Sequence, residues 1–510
     1  MQQRSDTTNI LADDPQERER RRNVRPAGWR NPQPAGRYNL VIIGAGTAGL
    51  SAARMAVARG AKVALIERHL LGGTCLNIGC VPSKAIIRTS RLYAEMRDAR
   101  RYGACTPADV RTDFGEVMRR ARGVRARLSR ADSAHGLVDS GVDVFFGEAL
   151  FTGAGTLSVD GVMLRFHKAL IATGARPDTP HIPGLAEAGY LTNENAFELT
   201  EPPQRLMVIG GGPLGCEMAQ AFARLGVHTT IVQHWPLFLP REERDAAQIL
   251  SDAFARDGIE VRLNTNAVNI RAENGLKIVD LVSDDYKNTL TVDAILTGTG
   301  RVPNVEGLNL EAAGVGYDIK HGIHVDDFLR SSNRRIYAAG DVCLEHKFDD
   351  TAEATARIAV RNALFPGHSR LSALTIPWCT YTDPEIAHVG LYVRQANARG
   401  IAVKTFTVPM HAVDRAVADD EETGFVKIVV ADRKDRILGA TIVGRHAGEM
   451  ISEITLAIVA GVGLRTLARV IHPYPTQAQA IKMAADAYDR TRWTSRIQRL
   501  ANVWLRWRRQ

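Results

Sequence analysis

At 510 residues the chain is too long for one hydrophobic core, so about two to four domains are expected. Its apolar fraction of 45% and charged fraction of 24% are ordinary for a globular protein, and six cysteines over this length exclude a disulfide-stapled scaffold. The net charge of +9 lies entirely in the two ends, because residues 1–37 hold eight arginines against five acids and residues 488–510 hold seven against one, so the neutral body argues against nucleic acid as a partner.

The N-terminal 37 residues are polar, arginine-rich and interrupted by prolines. Little apolar periodicity is present, which predicts a disordered tail. No apolar stretch follows its charges as in a signal peptide, so we expect a reducing, cytoplasmic compartment. The longest apolar run, residues 454–464, is too short to span a bilayer and predicts a buried helix.

Ordered structure is expected to begin with a buried strand at residues 38–43, a glycine-rich turn and an alanine-rich helix. A second strand, residues 62–66, ends at Glu67, 23 residues after Gly44, where an acid binds a ribose hydroxyl in dinucleotide-binding folds. Glycines in the turn allow a pyrophosphate to approach the helix N-terminus. These glycines are Gly44, Gly46 and Gly49.

Two cysteines, Cys75 and Cys80, follow a Gly-Gly-Thr turn and precede Pro-Ser-Lys. On an ideal helix five residues advance about 7.5 Å, more than the roughly 4.4–6.8 Å Cα spacing of a disulfide. The helix start must therefore be distorted, and Gly79 tolerates such distortion. Thiols at a helix N-terminus ionise more readily, so the pattern predicts a redox-active pair.

A second dinucleotide fingerprint follows the strand at residues 206–209, with Gly210, Gly212 and Gly215 in its turn. The next strand, residues 229–232, ends in Gln233 and His234 instead of the acid that an NAD site would carry. We therefore expect NADP(H) in preference to NAD(H). Two such folds in one chain predict two different dinucleotides.

Beyond residue 376 the pattern changes to alternating strands such as 425–430 and 437–443, which predict an antiparallel sheet with packed helices. The expected fold class is α/β, with two Rossmann-like dinucleotide-binding domains and a C-terminal α+β domain. The predicted boundaries are a basic tail (1–37), a first nucleotide domain (38–184 and 300–366), a second (185–299), the C-terminal domain (370–488) and a basic amphipathic helix (489–510).

The run from Gly72 to Lys84 resembles the redox motif of the class I, flavin-dependent pyridine nucleotide-disulfide oxidoreductases, which include lipoamide dehydrogenase, glutathione reductase and mercuric reductase. The resemblance covers residues 38 to about 488. It implies FAD on the first nucleotide fold, nicotinamide on the second, and a homodimer formed through the C-terminal domain. Hydride would pass to the flavin, and electrons would pass on to the cysteine pair.

The resemblance also implies residue roles. Cys80 would face the flavin, Cys75 the substrate, and Lys84 would lie near flavin N5 while pairing with Glu217. Asp341, at the end of the Ala-Ala-Gly-Asp motif, would contact the ribityl chain. The expected cofactor-binding residues are Gly44, Gly46, Gly49, Glu67, Gly73, Thr74, Thr173, Gly174, Gly210, Gly212, Gly215, Gln233, His234, Gly300, Gly340 and Asp341.

Disulfide reductases of this family carry His-x-His-Pro-Thr and a later Glu, and the second His acts as acid-base catalyst. Here Tyr474 takes the place of that histidine and Gln479 that of the glutamate. Mercuric reductases make the same His-to-Tyr replacement, and soft metal ions held by thiolates need no protonated leaving thiol. We therefore expect a mercuric reductase-like enzyme that passes electrons from NADPH through FAD and Cys75/Cys80 to a thiol-bound ion such as Hg(II), with both cysteines as substrate ligands.

Two other functions remain open. One is a lipoamide dehydrogenase- or glutathione reductase-like disulfide reductase that uses His472 as base, and the other is a slow-turnover flavin redox sensor. Cys343 or Cys379 could add a third metal ligand, although a packed free thiol is the simpler interpretation. The C-terminal tail places Ile497 and Leu500 at helical spacing among arginines, which favours either packing in the dimer or peripheral contact with an anionic membrane.

Overall fold

A computed structural model describes residues 14–107, 110–284, 286–432 and 434–509. Within them, no helix is long and apolar enough to cross a membrane. The α-helices are α1 (Pro15–Val24), α2 (Thr47–Val57), α3 (Gly73–Ile78), α4 (Cys80–Asp98), α5 (Phe114–Ser129), α6 (Ala134–Asp139), α7 (Leu185–Ala188), α8 (Pro213–Arg224), α9 (Arg244–Arg256), α10 (Asp349–Leu364), α11 (Val393–Ala398), α12 (Asp414–Ala418), α13 (Ala447–Val459), α14 (Leu464–Leu467), α15 (Gln479–Thr491) and α16 (Ser495–Trp507).

Short 3-10 turns lie at Ala99–Tyr102, Arg130–Asp132, Ala196–Glu198, Gly340–Val342, Leu371–Ala373 and Met410–Ala412. The strands are β1 (Tyr38–Ile43), β2 (Val63–Glu67), β3 (Val142–Phe146), β4 (Ala149–Gly153), β5 (Thr156–Val159), β6 (Val162–Ile171), β7 (Ala175–Pro177), β8 (Arg205–Ile209), β9 (His228–Val232), β10 (Glu260–Arg262), β11 (Thr265–Glu273), β12 (Leu276–Ser283), β13 (Lys287–Val292), β14 (Ala294–Thr297), β15 (Arg301–Pro303), β16 (Tyr317–Asp318), β17 (Gly322–Ile323), β18 (Ile336–Ala338), β19 (Pro377–Thr380), β20 (Glu385–Gly390), β21 (Val403–Pro409), β22 (Phe425–Ala431) and β23 (Ile437–Gly444).

By internal packing the described chain divides into two compact units, residues 14–234 with 259–374 and residues 235–258 with 375–509. The first unit is built on a sheet in the order β3-β2-β1-β6-β5-β4, with β18 also paired to β6. Strands β3, β2, β1, β6 and β18 are parallel. Since parallel strands are buried on both faces, their near-continuous apolar sequences fit this position, and α2 covers one face.

The same unit contains a second parallel sheet in the order β10-β9-β8-β14, and β11, β12 and β13 form an antiparallel sheet beside it. Helix α8 connects β8 to β9 and so completes the second βαβ unit that the fingerprint predicts. The two expected Rossmann-like folds are thus confirmed. In both, the glycine-rich turn lies at the carboxyl end of the first strand, where such sheets bind dinucleotides.

The second unit contains the expected antiparallel sheet, in the order β19-β20-β23-β22-β21. Its core also takes in α13 and α15. Residues 235–258, which the sequence placed in the second nucleotide domain, belong instead to this unit. Glu242 explains the difference, because its carboxylate accepts hydrogen bonds from Tyr392 Oη at 2.7 Å and Trp378 Nε1 at 3.3 Å.

The N-terminal region departs from the prediction. Residues 1–13 of the expected disordered tail lie outside the described residues, but α1 is a helix that begins at an Asp14 N-cap, whose carboxylate accepts from the Gln16 amide at 2.8 Å. Pro15 at the first helical position fits this start. A disordered tail is therefore wrong for this segment. Sequence periodicity missed the helix because the buried positions of its inner face include the charged Glu17 and Arg20.

Candidate active site

The thiol motif, residues 72–84, is a broken helix. Helix α3 ends at Ile78 and α4 begins at Cys80, with Gly79 between them at φ −143° and ψ −112°. A Cβ on Gly79 would lie 2.9 Å from the Thr74 carbonyl oxygen, so a side chain would not fit. The predicted distortion between the cysteines is thus present, and it brings their sulfur atoms together.

A carboxylate completes this group of side chains. Cys75 Sγ, Cys80 Sγ and an oxygen of Asp349 all lie within 4.8 Å of one another, and we call these three residues the thiol cluster. Both cysteines are free thiols. Asp349 is the first residue of α10, and Thr47 at the start of α2 donates a 2.5 Å hydrogen bond to its Oδ1. Two helix N-termini therefore fix the carboxylate beside the thiols.

The two thiols are electrostatically unequal. The pKa of Cys80 is lowered, mainly because the Cys75 thiol donates a hydrogen bond to its thiolate and further because of the Lys84 cation, against burial and Asp349. The pKa of Cys75 is raised by the same hydrogen bond, by burial and by Asp349. The arrangement therefore favours a Cys80 thiolate beside a protonated Cys75.

Lys84 and Glu217 form the expected pair, with Lys84 Nζ 2.8 Å from Glu217 Oε2. Helix α4 carries the lysine and α8 the nearly buried glutamate. This ion pair joins the two nucleotide-binding folds at the thiol motif. A cation fixed here stabilises negative charge that develops on neighbouring groups.

The thiol motif lies directly against the first glycine-rich turn. Gly73 has φ +55°, and a Cβ on it would lie 2.5 Å from Gly46 Cα. Farther along the turn, a Cβ on Gly49 would lie 1.8 Å from the Gly44 carbonyl oxygen. These contacts require glycine and leave open space above the turn.

That space is a cavity of about 1290 Å³, which we call the large cavity. Among its lining residues are seven of the predicted cofactor-binding positions: Gly44, Gly46, Glu67, Gly73, Thr74, Thr173 and Gly174. Asn304 also lines the cavity, and its carbonyl accepts a 2.7 Å hydrogen bond from Thr173 Oγ1. Its size and the glycine cradle fit an extended dinucleotide. Residues of this chain thus fit FAD.

The remaining first-fold predictions fall near the turn. Glu67 accepts hydrogen bonds from the Ala45 and His69 amides, each at 2.8 Å, at the end of β2. Asp341 lies in the 3-10 turn that begins at Gly340, and its Oδ2 is 2.5 Å from Arg301 Nη1. Burial raises the pKa of Asp341 while Arg301 lowers it. Gly300 precedes β15 with φ +132°.

The second glycine-rich turn repeats the first. A Cβ on Gly215 would lie 2.0 Å from the Gly210 carbonyl oxygen, and Gly212 caps α8. Gln233 follows β9 and is buried against Gly211, whereas His234 is exposed. The predicted residues of the second site therefore surround one turn.

His472 and Tyr474 belong to the second unit. His472 Nε2 lies 3.0 and 3.2 Å from the carboxylate oxygens of Glu453, and its side chain is largely buried. Tyr474 is 69% exposed and donates a 2.9 Å hydrogen bond to Asp414 Oδ2, which raises the pKa of the phenol. The neighbouring Ile471 is 92% exposed.

The thiol cluster also faces a second cavity, of about 690 Å³, which we call the small cavity. Cys75 and Asp349 line it, but Cys80 does not, and the charged residues around it include Arg54, Glu353 and Arg357. Cys75 is thus the thiol of the pair that lines this cavity. The carboxylate could not be found from sequence spacing, because Asp349 lies far along the chain from the cysteines.

The fold, the paired glycine-rich turns and the thiol motif define one class of protein. The model for the pyridine nucleotide-disulphide oxidoreductase domain matches residues 38–363, and that for the family's dimerisation domain matches residues 376–485. The chain belongs to this family of FAD-dependent oxidoreductases with a redox-active cysteine pair. The family implies FAD and a pyridine nucleotide as cofactors, and the dimerisation domain supports a homodimer.

Relatives within the family differ in activity. A mercuric reductase from Staphylococcus aureus is 35% identical over 455 residues, 89% of this chain and 83% of that protein. A dihydrolipoyl dehydrogenase from Thermus scotoductus is 32% identical and covers 88% and 97%. Among solved structures, the Cu(II) complex of the HOCl-induced flavoprotein disulfide reductase RclA from Escherichia coli is 30% identical, with a TM-score of 0.78 over 87% and 98% of the two chains.

Proposed function

We propose that this oxidoreductase uses NADPH to reduce a thiolate-bound metal ion, with Hg(II) as the first candidate. The observation that carries the proposal is the thiol cluster, in which two sulfurs and one carboxylate oxygen lie within 4.8 Å of one another. Soft metal ions select thiolate ligands, and a thiol pair with only one hard oxygen fits that preference. The S. aureus relative, a mercuric reductase, supports the same direction.

The reaction balances with two electrons. NADPH gives up a hydride and becomes NADP⁺, and a bis-thiolate complex of Hg(II) accepts the two electrons to become Hg(0). Once its electron pair has passed to the metal, the hydride hydrogen of NADPH is left as a proton. That proton and one from solvent protonate the two thiolates that leave the metal. Bound FAD supplies the relay of the electron pair between nicotinamide and the thiol side.

The residues of this chain handle the metal and the protons. Cys80 is the ready thiolate, because Cys75 and Lys84 lower its pKa. Cys75 reaches the small cavity and exchanges with an incoming thiol ligand on the metal. Cys75 must lose its proton to bind metal, and Asp349, hydrogen-bonded to it, is placed to accept that proton.

Tyr474 suits a metal substrate better than a disulfide. Its hydrogen bond to Asp414 raises the phenol pKa, so the side chain remains protonated at neutral pH and is a poor base. A metal-bound thiol leaves as a thiolate and requires no acid at this position. In the proposed dimer the exposed phenol would exchange its hydrogen bond to Asp414 for one to the metal's ligands.

NADP(H) is the proposed nicotinamide because neither Gln233 nor His234 offers a carboxylate that would repel a 2′-phosphate. The ratio of kcat/KM for NADPH and NADH checks this choice, and a strong preference for NADH would reject it. A cytoplasmic location remains a prediction based on the need for NADPH and reduced thiols.

The function is tested by anaerobic NADPH oxidation with purified, FAD-loaded protein. The acceptors are Hg(II) and Cu(II) in excess thiol, lipoamide and glutathione disulfide. Hg(II) should give the highest kcat/KM. Activity with a disulfide and none with either metal ion would reject the proposal, and slow turnover with every acceptor would favour the redox-sensor alternative.

A disulfide reductase is the second candidate, and the His472–Glu453 pair favours it. A carboxylate 3.0 Å from Nε2 can hold a histidine in one orientation for proton transfer. The dihydrolipoyl dehydrogenase relative belongs to this reaction class. The variant His472→Gln should abolish lipoamide turnover if the histidine is the base, whereas metal reduction should continue.

We also propose peripheral contact between α16 and an anionic membrane. The helix begins at a Thr494 N-cap and exposes a set of large apolar side chains among arginines. These side chains are Ile497, Leu500, Val503, Trp504, Leu505 and Trp507. Co-sedimentation with anionic vesicles should fall when residues 493–510 are removed, and equal pelleting of both forms would leave dimer packing as the role of this helix.

A further inference from the structure

The segment of residues 14–31, which we call the N-terminal strap, lies along the large cavity. One face of its helix is buried against the protein, and the other face lines the cavity. One face of α1 carries the buried residues Glu17, Arg20 and Val24. The other face carries exposed or half-buried arginines at helical spacing, and all of them line the large cavity: Arg18, Arg21, Arg22 and Arg25. The predicted cofactor residues thus form only part of this cavity's wall.

The buried face is fastened to the thiol motif. Arg20 Nη1 donates a hydrogen bond to Asn77 Oδ1, and Arg20 Nε donates to Glu17 Oε2 at 3.0 Å. Asn77 lies between the two cysteines, and its amide donates to the Leu71 and Gly73 carbonyls at 2.9 Å each. The strap therefore supports the asparagine that holds the Gly-Gly turn.

A second arginine reinforces this attachment from α5. Arg125 is 1% exposed and donates a 2.8 Å hydrogen bond to the Asn77 carbonyl. Burial, with repulsion from Arg20, lowers its pKa to about 10, while Glu17 opposes the shift. Asp14 adds an ion pair to Arg122, with 2.6 Å between Oδ2 and Nε. A buried carboxylate between arginines would be costly without these partners, so the docked position is well defined.

The distal part of the strap is fastened to β3 and to the loop after β2. Asn31 exchanges two hydrogen bonds with the Phe146 backbone, at 2.8 and 2.9 Å. Trp29 Nε1 donates to the Val144 carbonyl at 3.3 Å. Arg25 donates to the Arg68 and His69 carbonyls at 2.7 and 2.8 Å, directly after Glu67. Both ends of the cavity-lining helix are therefore anchored.

We propose that the strap is a cofactor clamp in which two of the cavity-lining arginines, Arg18 and Arg22, bind the pyrophosphate of FAD. The pyrophosphate carries two negative charges, and guanidinium groups bind phosphate oxygens with charge-assisted hydrogen bonds. The glycine-rich turn offers backbone N–H groups but no cation. Arg18 and Arg22 supply the missing positive charge, while Arg20 and Arg25 anchor the helix through other contacts.

The test measures FAD release rather than turnover. In the double variant Arg18→Gln/Arg22→Gln, FAD should dissociate on the order of tenfold faster, as followed by the fluorescence of released flavin, and the rate should depend less on salt. The matched control is Arg30→Gln, an exposed arginine of the strap that does not line the cavity, and it should behave like the unaltered protein. Identical release from all three proteins would overturn the proposal.

A second measurement uses the unaltered chain and so does not depend on how a variant folds. Trypsin cleaves after arginine, and α1 holds several. Bound FAD should slow cleavage at residues 18–25 at least severalfold relative to the flavin-free protein, whereas cleavage at the exposed C-terminal arginines of α16 should not change. Equal cleavage of the strap with and without FAD would show that it does not contact the cofactor.

Discussion

The thiol motif and the 471–479 segment are the two regions expected to carry the chemistry, and they are built in opposite ways. Around the thiols, the glycine contact between Gly73 and Gly46, the Asn77 hydrogen bonds and the Lys84–Glu217 pair fix each side chain. In the other segment, Tyr474 and Ile471 are largely exposed. The contrast shows a thiol motif whose side chains are held by contacts within one chain, and a 471–479 segment in which Ile471 and Tyr474 are exposed; under the proposed function, a partner subunit would cover that segment.

The largest expected loss of activity comes from replacing either cysteine of the thiol motif. Cys80→Ser or Cys75→Ser should lower NADPH-dependent metal reduction by about 10³-fold or more, since the two sulfurs act as one unit. FAD content, measured from the visible spectrum, should be unchanged. The exposed Cys105, replaced in Cys105→Ser, is the matched control. Substantial metal reduction by either active-site variant would mean that electrons bypass the pair.

The ion pair beside the thiols should rank second. Lys84→Met should lower the rate of reduction by NADPH about 10²-fold, because it removes a preorganised cation and leaves Glu217 buried without it. The control is Lys62→Met, which removes another lysine–carboxylate pair, with Asp143 at 2.7 Å, away from the site. Stopped-flow measurement of the reductive step separates the two. If Lys84→Met and Lys62→Met were reduced by NADPH at the same rate, the Lys84–Glu217 pair would have only a structural role.

Asp349 allows a pH test of the thiol cluster. Its negative charge raises the pKa of both thiols, so Asp349→Asn should lower them and shift thiolate formation by about one unit to lower pH. Thiolate ultraviolet absorbance during titration, corrected with the double cysteine variant, reports the change. Asp350→Asn on the same helix is the control. An unshifted profile would place the carboxylate outside the cluster's electrostatic range.

The smallest effect is expected at the exposed segment. Tyr474→Phe removes one hydrogen-bond donor and should lower kcat for Hg(II) by about three- to tenfold, since no proton transfer is lost. Tyr488→Phe, in the same unit, provides a comparison. A loss in kcat of about 10³-fold for Tyr474→Phe would contradict this account, because it would mean that the phenol does more than donate one hydrogen bond.

Predictability differed between these regions for physical reasons. The glycine-rich turns and the thiol motif could be predicted from the sequence, because close contacts such as that of Gly49 with the Gly44 carbonyl oxygen allow only glycine, and at a fixed spacing. The pairing of Glu217 with Lys84 was predicted from the family resemblance, with the place of the glutamate two residues after Gly215 as support. The strap was missed, since the buried Glu17–Arg20–Asn77 contacts are satisfied across the fold and leave no apolar periodicity. Asp349 was missed because only the packing of α10 brings it to the cysteines.

The central claim is that electrons leave through the thiol cluster to a metal ion, and a stoichiometric measurement tests it most directly. Protein reduced anaerobically with one equivalent of NADPH is mixed with one equivalent of Hg(II) in excess thiol, and volatile Hg(0) is collected. The account predicts close to one Hg(0) per NADPH, and none from the double cysteine variant. Recovery of all mercury as Hg(II), with the same reduced protein readily reducing lipoamide, would contradict it.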